Sequence, residues 1–544
     1  MPIFEKYGVL MVIWLLVAVW VAIVILTNRK VHPAALFMLF LVELWERFSY
    51  YGMRALLVLY LSTQTLKLGM GYSKEAAVGI YAAYGALVYL TPLLGGFLAD
   101  KFLGFRKAII WGAVLMAVGQ LGMTASSLIE QYQPTVVVAT EAGEIVKPQP
   151  TTNMLRIVSL YLGLGLLVVG NGFFKPNISS LIGRFYTQGD PRRDGAFTIF
   201  YMGINIGAFL TPLTCGAIGE NEGWHYGFLC AAIGMMLGLG MFLYTAKKGY
   251  LEQHAEPPAI PTTGFKLPSI AIYLGSFVLL PIVGALIYFN SVMDYLLLTI
   301  GVLAIGYLIY ISTKEEKQVR ERIWVIIVLL VFTAVFWTFF ELAGSALSLF
   351  TESSVNKKVM SVFGFDWIMK TSEFQATNAF FIMLFAPVFT ILWIFLAKRN
   401  IEPAAPIKFA FGLIMLGAGF FVLNLGKGFA TEAIVPAIFL ILLYLLHTLG
   451  ELAISPVGLS LVTKLAPAKI VGFMMGFWFL SSAFAHQAGK WIATDTVAPA
   501  DATPMQTLDL ALGVFNRVGI YAVVAGVILL LLSPIIKKWM HGVK

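Results

Sequence analysis

Charge is what this 544-residue chain has least of. Asp, Glu, Lys and Arg together make 12% of it, about half of what soluble proteins carry. So few charges cannot solvate the surface of a chain this long, which excludes a soluble multidomain protein. Only two cysteines occur, Cys215 and Cys230. They cannot form a disulfide framework, and both read as small core residues. The six histidines have no metal-ligand spacing with cysteine or with one another. No nucleophile–base pair stands out either, so the sequence predicts neither a metal site nor an enzyme. Long polar stretches are also missing. No soluble domain, short-period repeat or low-complexity tract is expected.

What is abundant is apolar. Hydrophobic residues make 59% of the chain and the mean hydropathy is +0.85. The 42 Phe, 22 Tyr and 12 Trp suit lipid-facing helices, interfacial belts and an aromatic-lined cavity. The apolar runs are helix-length, longer than the roughly 10 alternating residues of a barrel strand. An all-α polytopic membrane protein follows. The net charge of +9 fits basic residues held in cytoplasmic loops; lipid is the expected partner, and nucleic acid is not.

Reading about 20 apolar residues per crossing gives spans near 8–27, 33–63, 76–99, 105–128, 154–184, 195–219, 225–246, 268–289, 292–313, 323–350, 374–397, 407–427, 433–463, 470–493 and 516–536. Asn290 and Ser291 alone separate two of them, a tight central hairpin. With Asn28–His32 placed inside, 23 of the 37 Lys and Arg residues fall on the inner side. That puts the N-terminus outside and the C-terminus in the cytoplasm. The acidic outer segment Glu130–Asn153, with Glu130, Glu141 and Glu144, agrees. The first span reads as a retained helix, since its run is too long for a signal peptide and no cleavage site follows. The expected organisation is an extra helix (1–32), a six-helix bundle (33–250), a linker with the hairpin (251–320) and a second six-helix bundle (321–544). In that architecture a site forms at the midplane between the halves.

Seven charges inside these spans stand out: Glu43, Glu46, Arg47, Arg54, Lys175, Glu341 and Glu451. Each costs about 2.5–3.5 kcal/mol at a helix centre on insertion scales, so each is a functional candidate. Three are positive and four negative; one bound proton would neutralise a cavity that held them all. Glu43 and Arg47 are spaced i,i+4 as an ion pair. Arg54 lies about three turns further along the same stripe, with Glu46, Tyr50 and Tyr51 alongside. Lys175 precedes Pro176, which bends its helix. His447 and His486 are the only histidines deep in spans; His447, one turn before Glu451, reads as an interhelical hydrogen bond. In GGFLADKFLGFRK (Gly95–Lys107), close-packing glycines, Asp100 and three basic residues suggest a clasp between helices.

Several segments resemble a known family. ELWERFSYYG (Glu43–Gly52) resembles the long ExxERFxYYG motif of the proton-dependent oligopeptide transporter (POT/PTR) family, within the major facilitator superfamily. GNGFFKPNIS (Gly170–Ser179), FYMGINIGAF (Phe200–Phe209), FQATNAFFIM (Phe374–Met383), GELAISPVGLS (Gly450–Ser460) and GFWFLSSAFA (Gly476–Ala485) resemble family segments too. The central hairpin resembles the two extra helices of bacterial members. The resemblance runs from about residue 34 onward and leaves the first span outside the family pattern.

That resemblance implies a proton-coupled symporter importing di- and tripeptides across the bacterial inner membrane by alternating access, monomeric, with no cofactor beyond the coupling proton. Arg54 and Lys175 would hold the peptide carboxylate. Glu451, Asn378 and Asn205 would hold its amino end and backbone, and Tyr50, Tyr51, Tyr84, Trp337, Phe340, Trp478 and Ser482 would line side-chain pockets. Arg54 with Glu341, and Lys175 with Glu451, would form two gating salt bridges. Many members carry a histidine where this chain has Ala82, in YAAYGALVYLTP (Tyr81–Pro92), so coupling is expected to fall on Glu43, Glu46, Arg47 and Glu341. Two rival readings are the same fold carrying a small solute such as nitrate, and a non-transporting peptide sensor.

Overall fold

The computed structural model describes all residues except 1–2, 65–66, 130–135, 141–142, 148–152, 188–189, 252–266, 363–364, 468–470 and 544. Glu130, Glu141, Lys266, Lys469 and Lys544, used in the topology argument, lie outside the described residues. The chain divides into two compact units, Met1–Ser73 with Thr91–Tyr288, and Lys74–Leu90 with Phe289–Lys544.

The first unit begins with α1 (Ile3–Asn28) and α2 (Ala34–Ser62). α3 (Lys74–Leu98) contributes its second part, from Thr91. There follow α4 (Phe105–Leu128), α5 (Met154–Gly183), α6 (Arg192–Thr211), α7 (Ala217–Glu222), α8 (Trp224–Lys247) and α9 (Ser269–Tyr288). Their backbone irregularities have local causes. A π-turn over Pro212–Gly216 joins α6 to α7, where Pro212 offers no N–H to the helix ladder. Another over Ala99–Leu103 ends α3, and the chain then turns through Gly104 at φ 74°, a left-handed value that favours glycine.

Packing in this unit depends on close backbone approach, because lipid supplies no hydrophobic drive between helices. α4 and α5 meet along a glycine seam. A Cβ on Gly170 would stand 2.7 Å from the carbonyl oxygen of Gly112, and one on Gly163 would stand 3.0 Å from that of Gly119. Both pairs recur seven residues apart on their helices. α9 packs on α5, with Trp111 Nε1 of α4 donating to Ser276 Oγ at 3.2 Å.

α1, the helix outside the family pattern, also belongs to this unit. Trp14 stacks on Trp45 of α2 at 6.1 Å and donates from Nε1 to Thr214 Oγ1 at 3.0 Å. Near its start, Lys6 Nζ lies 2.5 Å from Glu222 Oε1, which also accepts from the Tyr7 hydroxyl at 2.6 Å. Leu15 and Leu16 are exposed, an apolar face suited to lipid.

The second unit takes Lys74–Leu90 of α3. It continues with α10 (Ser291–Lys314), α11 (Lys317–Phe340), α12 (Ala346–Ser354), α13 (Ala376–Lys398), α14 (Ala405–Leu425), α15 (Ala437–Leu465), α16 (Val471–Asp495) and α17 (Pro504–Trp539). The two helices of the central hairpin thus group with different units. α14 packs against α15 and α17, and α11 against α16. A Cβ on Gly450 would stand 2.6 Å from the Gly412 carbonyl oxygen, the same close-approach device between α14 and α15.

Counting α6 with α7 and α11 with α12 as single spans, the described residues hold the fifteen long helices expected. Thirteen are long and apolar enough to cross a membrane; α2 and α16 are not among them. α2 carries Glu43, Glu46, Arg47 and Arg54, and the middle of α16 is polar from Ser481 to Lys490. The apolarity given up is where candidate site residues sit.

Three local features depart from the sequence reading. α17 begins at Pro504, twelve residues before the expected start at 516. A capping box explains it: Gln506 N donates to Thr503 Oγ1 at 3.3 Å and Thr503 N to Gln506 Oε1 at 2.8 Å. The expected span 323–350 is broken by a 3-10 segment, Glu341–Gly344. Two small antiparallel hairpins, Val136–Thr140 with Gly143–Lys147 and Lys358–Val362 with Phe365–Ile368, interrupt the otherwise helical fold.

Candidate functional site

In the first unit the charges centre on one residue of α2. Arg47 Nε donates to Glu43 Oε1 at 2.9 Å and pairs with Glu46 Oε2 at 2.5 Å. All three side chains are buried; Glu46 has no exposure at all. The Glu43–Arg47 pair is the i,i+4 contact expected. Glu46 is adjacent in sequence and is not a natural helical neighbour, so its closure onto the same guanidinium was not legible. The Lys175 ammonium on α5 is near enough to act electrostatically on both carboxylates.

Above this cluster runs an aromatic and cationic ladder. Arg47 lies over the Tyr50 ring at 5.5 Å, Tyr50 meets Tyr51 edge-on at 5.2 Å, and Arg54 lies over Tyr51 at 5.8 Å. Rings at this range stabilise a cation held out of water. Arg54 and Lys175 are half-buried. Asn205 on α6 is buried, and its amide donates to the Tyr201 carbonyl at 3.0 Å.

In the second unit the two carboxylates come from different helices. Glu341 is buried in the 3-10 break after α11. Its Oε2 lies 3.9 Å from Nε2 of His486 on α16. Glu451 on α15 accepts from Asn378 Nδ2 of α13 at 2.9 Å, and the same amide reaches Thr448 Oγ1 at 3.0 Å. The Glu341 and Glu451 carboxylates are close enough to feel each other's charge. Trp337 and Phe340 meet edge-on at 5.1 Å, and Phe336 stacks on Phe340 at 5.6 Å. Trp478 is buried against Phe409 at 6.3 Å, and Ser482 is half-buried. Tyr84 is fully buried and groups with this unit. His447 Nε2 bonds the Leu416 carbonyl of α14 at 3.1 Å, the interhelical bond expected of it.

Two further polar groups escaped the sequence reading. Arg156, in the first turn of α5, is buried. It donates to the carbonyls of Ser126 at 2.9 Å and of Gly69 at 2.9 Å. It therefore pins α5 to the loop after α2 and to the end of α4. His486 carries no local signal beyond its depth in a span, and its partner Glu341 is remote in sequence. Among the described residues no group of three or more His, Cys, Asp or Glu side chains could hold a metal ion.

Comparison with known proteins decides the family. The profile of the POT family matches residues 106–508. The chain belongs to the POT family. The uncharacterized transporter YclF of Bacillus subtilis (strain 168) is 35% identical to this POT chain over 517 residues, covering 94% of it and 96% of the relative. A di-/tripeptide transporter of Lactococcus lactis subsp. cremoris is 33% identical over 526 residues, covering 94% and 97%. A crystal structure of a peptide transporter POT in complex with sulfate matches with a TM-score of 0.77 at 35% identity, covering 94% of this chain and 96% of that one. The resemblance read from the motifs is thereby established, together with the major facilitator type of fold. As a POT member, the protein is a multi-pass membrane transporter and not an enzyme.

Proposed function

We propose that this POT protein imports di- and tripeptides across the bacterial inner membrane by proton-coupled alternating access. The N-terminus lies outside, the C-terminus lies in the cytoplasm, and the working unit is a monomer. A peptide zwitterion needs a cation at one end and a carboxylate at the other. Arg54 and Lys175 supply the first and Glu451 the second, with Asn378 and Asn205 on the backbone. Tyr50, Tyr51, Tyr84, Trp337, Phe340, Trp478 and Ser482 meet the variable side chains, for which adaptable aromatic walls suffice.

The observation that carries this reading is the Glu451 carboxylate, buried and oriented by the Asn378 amide at 2.9 Å. A buried carboxylate held by a neutral amide still presents an acceptor oxygen to an incoming ammonium group. Nitrate offers no such group, which favours peptide over that cargo. The Lactococcus lactis di-/tripeptide transporter supports the same substrate class.

Glu43, Glu46, Arg47 and Glu341 form the coupling set. Protonation of Glu341 frees Arg54 for the peptide carboxylate and closes the outer gate; parting of Lys175 from Glu451 then opens the inner one. The test is uptake of labelled di-alanine into proteoliposomes under an imposed pH gradient, competed by tri-alanine, alanine and nitrate. Driven uptake blocked by tri-alanine alone is expected. Competition by nitrate alone would sink the substrate assignment, and binding without uptake would make the protein a sensor.

A further inference from the structure

Within the second unit, α3 and α16 build a seat for one histidine. Tyr81, Gly85 and Tyr89 follow one another at i, i+4 and i+8 on α3, hence on one face. The His486 ring of α16 lies on that face. It stacks near-parallel on Tyr89 at 5.6 Å and meets the Tyr81 ring edge-on at 6.1 Å. Gly85 makes the approach possible, since a Cβ there would stand 2.6 Å from His486 Nδ1. The imidazole is 4% exposed. Its Nε2 faces Glu341 Oε2 at 3.9 Å, within ion-pair range but longer than a hydrogen bond. Tyr81, Ala82, Glu341, His486 and Lys490 line one small cavity.

Other polar and aromatic groups reach this cavity from the neighbouring elements. Lys490, one turn along α16, pairs with Asp294 of α10 at 2.6 Å, and Gln487 Nε2 donates to the other Asp294 oxygen at 2.6 Å. Tyr81 and Tyr89 face the ring from α3, Glu341 from the 3-10 break, and Glu451 acts on Glu341 from α15. The Lys490–Asp294 pair is neutral as it stands. The imidazole is the nitrogen base that faces Glu341 across the cavity.

We propose that His486 and Glu341 together hold the coupling proton. With the imidazole neutral, the pair carries one negative charge. One proton from the outer side, shared between Nε2 and the Glu341 carboxylate, brings the pair to zero net charge. Release to the inner side restores the negative charge, and no other bond changes. The neutral pair is the form that buried surroundings tolerate better, so proton occupancy follows whether the cavity is closed or wet. The assignment rests on the proton-coupled reading above. It also supplies from α16 the imidazole that α3 lacks at Ala82.

The test uses the full chain in proteoliposomes with two variants, His486→Gln and His486→Asn, whose amides keep hydrogen-bonding capacity and cannot carry a proton. Accumulation of di-alanine driven by a pH gradient should fall by about tenfold or more, the factor that one pKa unit of proton affinity represents. Counterflow at equal pH on both sides should persist and lose its dependence on pH between about 5 and 8. Driven accumulation within about twofold of the native protein, one-fifth of the tenfold loss expected, would overturn the assignment. So would counterflow that keeps the native pH profile. If the native protein itself shows no proton-driven uptake, the coupled-symport reading fails first, and His486 with it. Should His486→Gln not fold, the His486→Asn variant carries the same two readouts.

Discussion

The two units treat buried charge differently. In the first, Glu43, Glu46 and Arg47 share one helix and one guanidinium, at 2.9 and 2.5 Å. In the second, Glu341 and Glu451 come from separate elements and are met by an imidazole at 3.9 Å and an amide at 2.9 Å. A guanidinium stays charged in every state of the protein. An imidazole and a carboxylate can change charge, and an amide can let go. Within the proposed coupling set, an ionic cluster anchored on α2 thus stands against carboxylates of the second unit whose partners can change charge or let go.

The largest expected effect breaks the anchor. Arg47→Met leaves two buried carboxylates without their shared cation and should cost about 3–5 kcal/mol of stability. Thermal unfolding in detergent measures it; a loss well under 1 kcal/mol would mean that the cluster is wet and not an anchor. The exchangeable set predicts the opposite profile. Glu341→Gln should fold normally yet lose proton-driven uptake while peptide exchange survives. If driven uptake persists, the proton sits elsewhere, and Glu46→Gln tests that alternative in the same assay.

A smaller effect tests the amide. Asn378→Ala removes the donor to Glu451 and should weaken di-alanine binding by about 1–3 kcal/mol, read as a rise in the half-saturating concentration. An unchanged value would remove Glu451 from the amino-end role. Smallest is Lys6→Met on α1. The Lys6–Glu222 pair is part-exposed, and exposed pairs contribute little to stability, so melting should shift slightly and uptake should not change. A large loss of uptake would give α1 a part in transport beyond packing.

Legibility in the sequence followed the range of each interaction. The spans, the Asn290–Ser291 turn and the Glu43–Arg47 pair depend on composition or helical spacing and were readable. The start of α17 is also written locally: Thr503, Pro504 and Gln506 spell a capping box ahead of the apolar run. The 3-10 break at Glu341 has no proline or glycine at its first residue to mark it. Nothing local indicates that Glu46 turns to Arg47, or that Arg156 serves carbonyls instead of water.

The amino-acid pattern by itself determined that this chain is a helical membrane protein, which segments form helices, and which charges are too costly to be accidental. Those follow from transfer free energies and a helical period that act within tens of residues. Only the tertiary structure decided which charges meet. His486 reaches Glu341, and Asn378 reaches Glu451, because separate helices pack at a distance set by glycines and rings. That packing depends on shape at sites far apart in the chain, which no local pattern encodes.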